Sequence, residues 1–325
     1  MLRLPPFRYL RAGSAAEAAR ALADHGGRAM ILAGGTDLLP NLKRRQFDAE
    51  VLVAIGHLAE LREASANGEL VLGAGMRLRG VVAAAERVEG LAAIAEAVGQ
   101  IANPQIQRQG TIGGNLCVDT RCNYYNQSEE WRAAIGYCMK RDGDICLVAP
   151  GSAKCWAVSS SDAAPALMAL GARVVLQGPE GERDIPLRDL YRDDGIDYLS
   201  RRPDEVLTRI LVPRLPGQRS TYRKVRRRGS FDFPILGIAA SLQMAGETVE
   251  AARLVLGGVH THPVEVAAAA ELLCGRPLTE ESIEAAAEAA FKAATPLDNA
   301  DLMYHWRKKM VRVEVRRALR SLAGG

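Results

Sequence analysis

Apolar and polar positions alternate along this chain with two different periods, and the changes of period mark out the elements. Ser14 and Glu17 have capping-box spacing before an alanine-rich, helix-periodic segment, which predicts a helix over 14–25 closed by Gly26 and Gly27. Residues 28–33 (RAMILA) then read as a short buried strand, followed by the turn Gly34–Gly35. Residues 36–45 suit a short helix and 51–55 (VLVAI) a second buried strand. A strand at 70–75 and helices at 78–87 and 91–102 follow. The segment 110–116 (GTIGGNL) is glycine-rich and predicts a loop or irregular turn. Further on, Ser161 is placed to cap a helix at 162–170, and 172–177 is a strand.

The second half changes character. Candidate strands at 206–212, 221–226, 236–244 and 250–257 succeed one another with few helical signals between them. Helices are predicted at about 263–274, 279–293 and 300–322. Alternating elements followed by a run of strands and then helices predict an α+β protein, the later part built on an antiparallel sheet. Gly178, Pro179, Gly181 and several Asp and Arg residues place the boundary within 178–215, giving domains at 1–215 and 216–325.

Composition narrows the function classes. The 325 residues can bury a sizeable core, but aromatics make up only 5%, so Ala, Leu, Val and Ile must build it. A net charge of +4 gives no reason to expect nucleic acid, and the basic run Arg223 to Arg228 reads as strand residues or partner contacts. Residues 1–13 carry arginines and prolines with no apolar stretch, and no run nears the ~18 apolar residues of a membrane span. The expectation is a soluble, cytoplasmic chain without a membrane partner. His260 and His262 have a spacing that can bind metal, but no carboxylate cluster lies near them in sequence; His57 reads as structural.

Two glycine loops and a group of cysteines carry the chemistry. Ala33-Gly34-Gly35-Thr36-Asp37-Leu38 follows a strand, and Thr111-Ile112-Gly113-Gly114-Asn115 lies about 75 residues on. Paired glycines let backbone N–H groups approach a pyrophosphate, although neither loop has the Rossmann or Walker spacing. Five cysteines (Cys117, Cys122, Cys138, Cys146 and Cys155) fall within 39 residues, while Cys274 stands alone in a predicted helix and reads as a core residue. Cys122, Cys138, Cys146 and Cys155 are separated by 15, 7 and 8 residues. Four thiolates suit a [4Fe-4S] cluster or tetrahedral zinc; zinc sites usually show close C-x-x-C pairs, which are missing here, and free or disulfide-bonded thiols are the third reading. Cys117, fixed beside the second loop, reads as a small buried thiol.

The A-G-G-T-D-L and T-I-G-G-N pair resembles the flavoprotein subunits of the xanthine dehydrogenase and carbon monoxide dehydrogenase family, over nearly the whole chain. The resemblance implies a two-part N-terminal FAD-binding domain of the vanillyl-alcohol-oxidase type and a CO dehydrogenase flavoprotein-like C-terminal domain of antiparallel sheet and helices. It assigns the FAD diphosphate to Ile31, Leu32, Ala33, Gly34, Gly35, Thr36, Asp37 and Leu38 and to Thr111, Gly113, Gly114 and Asn115. Asp162, Leu207, Lys224 and Ile101 match flavin-proximal positions. Plain members of the family run almost directly from the G-G-N loop into the S-x-x-A-A-x-L helix, whereas here residues 119–158 intervene. That insertion resembles the cluster-bearing loop of an aryl-CoA-reducing branch, which implies a [4Fe-4S] cluster on Cys122, Cys138, Cys146 and Cys155. It further implies a molybdopterin-binding large subunit, a [2Fe-2S] small subunit, a dimer of heterotrimers, and ferredoxin as electron donor. The alternative is a generic flavin subunit whose inserted loop holds zinc or no metal.

Overall fold

The computed structural model describes residues 2–323. Strands β1 (Arg8–Arg11), β2 (Ala29–Leu32) and β3 (Val51–Ala54) form a parallel sheet in the order β1-β3-β2. All four side chains of β3 are buried, as expected of a central parallel strand whose two faces are covered. Helix α1 (Ala15–His25) packs on this sheet, its N-terminus capped by Ser14 Oγ, which accepts from Glu17 N–H at 3.1 Å. The carboxylate of Glu17 accepts from Gly13 N–H, not from Ser14, so the reciprocal half of the predicted capping box falls one residue early. Helix α2 (Leu38–Lys43) follows the first glycine loop.

A second sheet is antiparallel throughout, in the order β4-β5-β8-β6-β7, from β4 (Ala64–Ser65), β5 (Glu69–Gly73), β6 (Arg173–Gly178), β7 (Gly181–Pro186) and β8 (Val206–Pro213). Its helices are α3 (Leu78–Ala85), α4 (Ala92–Gly99), α5 (Pro104–Gln107), α6 (Ile112–Leu116), α7 (Glu129–Ala134) and α8 (Ala163–Ala169). The strand predicted at 206–212 therefore belongs with the first half. As β8 it is hydrogen-bonded on both sides, and proximity in sequence to the later strands concealed that long-range pairing. Strand β7 lies where only a boundary was expected.

The third sheet, β12-β11-β10-β9, comprises β9 (Gln218–Val225), β10 (Leu236–Ala245), β11 (Thr248–Gly257) and the short β12 (Val264–Glu265). One face is covered by α9 (Ala267–Leu273), α10 (Glu280–Ala293) and α11 (Tyr304–Ala323), with Ile238, Leu242, Leu256, Ala287, Val311 and Val315 in the shared core. The α+β class is as expected. Cys274 lies just past α9 as its C-cap and is partly exposed, not in a helical core.

Every residue of α8 (AAPALMA) is buried, and the largest apolar core runs from β5, β6 and β8 through this helix to Tyr222, Ala239 and Val255 of the third sheet. Small alanine side chains let two sheets approach the same helix, which is how a chain poor in aromatics fills its interior. Among the described residues, no helix is long and apolar enough to cross a membrane.

Candidate functional site

The two glycine loops face each other across one cleft of about 1030 Å³, at the upper end of the range for ligand pockets and suited to an extended dinucleotide. The first loop leaves β2 and turns into α2 at Gly35, whose φ of +71° is a conformation that side chains disfavour. A Cβ on Gly34 would stand 2.2 Å from the Gln109 carbonyl oxygen, so the loops touch backbone to backbone. The second loop is not the irregular turn expected. Thr111 Oγ1 accepts from Gly114 N–H at 3.2 Å and caps the five-residue helix α6, while Gly113 N–H donates to Ala74 O at 2.8 Å. Local capping and that tertiary bond outweigh the poor helix propensity of two glycines. Asn115 Oδ1 accepts from Ser161 Oγ at 2.8 Å and Ala163 N–H at 3.2 Å, tying the loop to the start of α8. Ser161 supplies the expected capping bond to Ala164 N–H, although the residue at the cap position is Asp162.

Of the cofactor residues inferred from sequence, Ile31, Ala33, Gly34, Gly35, Thr36, Asp37, Leu38, Ile101, Thr111, Gly113, Gly114, Asn115, Asp162 and Leu207 line this cleft. Leu32 does not; it packs against Leu42 and Leu52. Lys224 sits behind Asp162. Its Nζ donates to Asp162 Oδ2 at 2.8 Å, Asp232 O at 2.9 Å and Gln100 O at 3.1 Å, and Tyr222 OH donates to Asp162 Oδ1 at 2.8 Å. Burial pushes the Asp162 carboxyl up and Lys224 down, and each partner's charge opposes the other's shift.

Several lining residues had no sequence signal. Arg121 pairs with Asp37 of the first loop, and its guanidinium lies 3.9 Å over the Phe233 ring. Tyr198 and Phe231 also border the cleft; Phe231 has φ +55° and donates its N–H to Ala102 O, where φ is +47°. The basic run is largely engaged within the chain, with Arg223 on Glu314, Lys224 on Asp162 and Arg228 on Asp232. His57 is held by Ala12 O.

Beyond the cleft stands the insertion. Arg121 and Val158 exchange both backbone hydrogen bonds, at 2.8 and 2.7 Å, closing its neck. Within it Cys122, Cys138, Cys146 and Cys155 are all buried and line one small cavity with Tyr124, Tyr125, Met139, Leu147 and Val148. Cys138 lies in a tight turn flanked by Tyr137 and Asp142, both at positive φ, a strain typical of functional sites. Burial pushes two of these thiols up, Cys122 to about 12 and Cys155 to about 11, which makes those two poor free nucleophiles. Among the described residues, the only His, Cys, Asp or Glu set with three or more ligand atoms within 4.8 Å of one another is Asp193, His260 and His262. The thiols are thus spread more widely than the roughly 3.8 Å sulfur–sulfur edge of a tetrahedral zinc site with Zn–S near 2.3 Å. Cys117 stands apart on the cleft wall, partly exposed.

The profile of the FAD binding domain in molybdopterin dehydrogenase matches residues 5–215, and that of the CO dehydrogenase flavoprotein C-terminal domain matches residues 220–322. The chain is 28% identical to the carbon monoxide dehydrogenase medium chain of Hydrogenophaga pseudoflava, covering 98% of this chain and 97% of that one. It is 32% identical to the aldehyde oxidoreductase FAD-binding subunit of Escherichia coli, covering 86% and 90%. The solved Cu,Mo-CO dehydrogenase superposes with a TM-score of 0.82 at 26% identity, covering 99% of each chain. The chain therefore belongs to the FAD-binding subunits of molybdopterin dehydrogenases. More particularly, it is an FAD-binding medium subunit of the CO dehydrogenase/xanthine dehydrogenase branch of molybdenum hydroxylases, a family of multi-subunit oxidoreductases.

Proposed function

We propose that the chain is the FAD- and [4Fe-4S]-binding subunit of a 4-hydroxybenzoyl-CoA reductase, which takes in an electron pair and two protons and yields benzoyl-CoA and water. The carrying observation is that an insertion with one short helix brings four distant cysteines, all buried, around a single cavity beside the cleft. In this reading the two glycine loops hold the FAD diphosphate, and Ile101, Asp162, Leu207 and Lys224 support the flavin. Cys122, Cys138, Cys146 and Cys155 are the cluster ligands, and the unit is residues 119–158 within a 1–215 FAD-binding domain followed by a 216–325 domain. When bound, FAD and the cluster would supply single-electron exchange between a ferredoxin and the [2Fe-2S] and molybdenum centres of small and large partner subunits, in a cytoplasmic dimer of heterotrimers. The chain's own part is to exclude water from the thiols and to fix the insertion against the cleft through Arg121 and Asp37.

A second reading, a generic flavin subunit of a CO or xanthine dehydrogenase-type hydroxylase, is favoured more directly by the named relatives. Anaerobic purification with iron, sulfide and FAD analysis on one sample separates them. About four iron and four sulfide per FAD supports the reductase subunit. Zinc or no metal, with FAD retained, leaves the generic reading.

A further inference from the structure

Asp193, remote in sequence, supplies a carboxylate beside His260 and His262, whose own stretch of sequence offers no carboxylate cluster. Tyr191 and Leu199 are bridged across the loop that carries Asp193, and this loop folds back so that Gly195 N–H donates to Cys155 O at 2.9 Å. His260 and His262 come from the turn between β11 and β12. Ser159 N–H donates to His260 O at 2.9 Å, and the Trp156 ring meets the His260 ring edge-on at 5.3 Å. Three segments distant in sequence thus converge on the outer edge of the cysteine insertion.

We propose that His260 Nδ1, His262 Nδ1, Asp193 Oδ1 and Thr261 Oγ1 form a binding site for a divalent transition metal of the zinc class, distinct from the cysteine cavity. The two nitrogens are 3.1 Å apart. They stand 3.4 and 3.7 Å from the carboxylate oxygen. The Thr261 hydroxyl is 3.0 and 3.3 Å from the nitrogens and 2.6 Å from that oxygen. In a tetrahedron with edges averaging about 3.2 Å, the centre lies about 2 Å from every corner, which is the Zn–N and Zn–O bond length. One proton between the nitrogens and the Thr261 hydroxyl proton on Asp193 satisfy two of these contacts, whereas a shared cation satisfies all of them. Burial pushes both imidazoles down, in the direction of the neutral form that ligation uses.

Lys154 currently neutralises Asp193, and its Nζ also lies 4.1 Å above the Trp156 ring, a position it can keep when the carboxylate turns to a metal. The metal would staple the C-terminal β11–β12 turn to the Asp193 loop and, through Trp156, to the insertion. The proposal stands independently of what the cysteines hold.

The test uses the full chain with FAD bound, purified anaerobically, dialysed against chelator and titrated with Co²⁺ in wild-type and Cys138→Ser backgrounds. The expected result in both backgrounds is one equivalent bound with visible d–d bands of nitrogen and oxygen ligation, separate from any thiolate-to-cobalt charge transfer that an unoccupied cysteine cavity adds. His262→Gln and Asp193→Asn, checked for FAD retention as a sign of folding, should each weaken binding at least about tenfold. Lys154→Met should tighten it. Cobalt that binds only with thiolate charge transfer and disappears in Cys138→Ser, or affinity indifferent to both His262→Gln and Asp193→Asn, would overturn the site.

Discussion

The cleft and the insertion are built by opposite means. In the cleft the backbone does much of the shaping: Gly34 lies against the Gln109 carbonyl and Thr111 caps α6, while loop residues such as Tyr198, Phe231 and Phe233 complete the walls. In the insertion, regular structure is limited to α7, and side chains do the holding. Arg132 is fully buried and donates to the carbonyls of Gln127, Arg44 and Arg45. Lys140, almost as deeply buried, donates to Asp119 at 2.7 Å, Thr120 at 2.8 Å and the Gly195 carbonyl at 2.6 Å. Polar groups taken from water gain little beyond satisfying one another. The apolar core of the insertion is a handful of residues, most conspicuously Cys122, Tyr125, Cys138, Cys155 and Ala157. Such a segment buries little apolar area of its own, and on the proposed reading a bound cluster at its centre would add to what orders it.

Paired substitutions break this comparison most sharply. Cys138→Ser should abolish cluster iron while FAD stays bound, and Gly34→Ala should do the reverse. The added methyl forces the Gln109 carbonyl away at a cost of about 1–3 kcal/mol, so FAD occupancy falls while iron remains. Simultaneous loss of both groups in either variant would show that the regions fold as one unit. Cys117→Ser serves as the control, since its side chain lies on the cleft wall and should leave iron unchanged.

The difference in construction also explains what the sequence could reveal. The helix capped by Ser14, strand β3 and the loop glycines were legible because capping, short apolar runs and paired glycines act locally. The four cysteines were legible by residue type, and their convergence follows from long-range contacts such as Gln46 Nε2 to the Tyr125 carbonyl. Strand β8 was read in a run with the later strands because its partners, β5 and β6, are both remote in sequence. Asp193 could not be matched with His260 and His262 for the same reason. No local pattern marks Arg121, although it links the two regions through Asp37 and Phe233.

The contrast sharpens at the buried pair on which the cleft rests. Lys224→Met leaves the Asp162 carboxylate buried without its cation and should cost about 3–5 kcal/mol in the denaturant midpoint analysis. Asp162→Asn combined with Lys224→Met should cost less than the sum of the two single changes, because no uncompensated charge remains. Strict additivity would mean that the pair does not couple. The recovery should still be partial, since the carbonyls of Gln100 and Asp232 also lose the Lys224 donor.

The smallest effect is expected on the exposed faces of α10 and α11. There Arg320, Arg316 and Arg312 pair with Glu280, Glu284 and Glu288 in a ladder of surface contacts. Solvent screens these charges, and holding two long side chains together costs entropy that offsets their attraction. Arg320→Ala should therefore leave the melting temperature, FAD content and iron content within experimental scatter at ordinary salt. Buried Lys224 and exposed Arg320 each meet a carboxylate at hydrogen-bonding distance, 2.8 Å in one case and 2.6 Å in the other. A large loss at Arg320 would mean that distance, and not access to water, sets the strength of ion pairs in this protein.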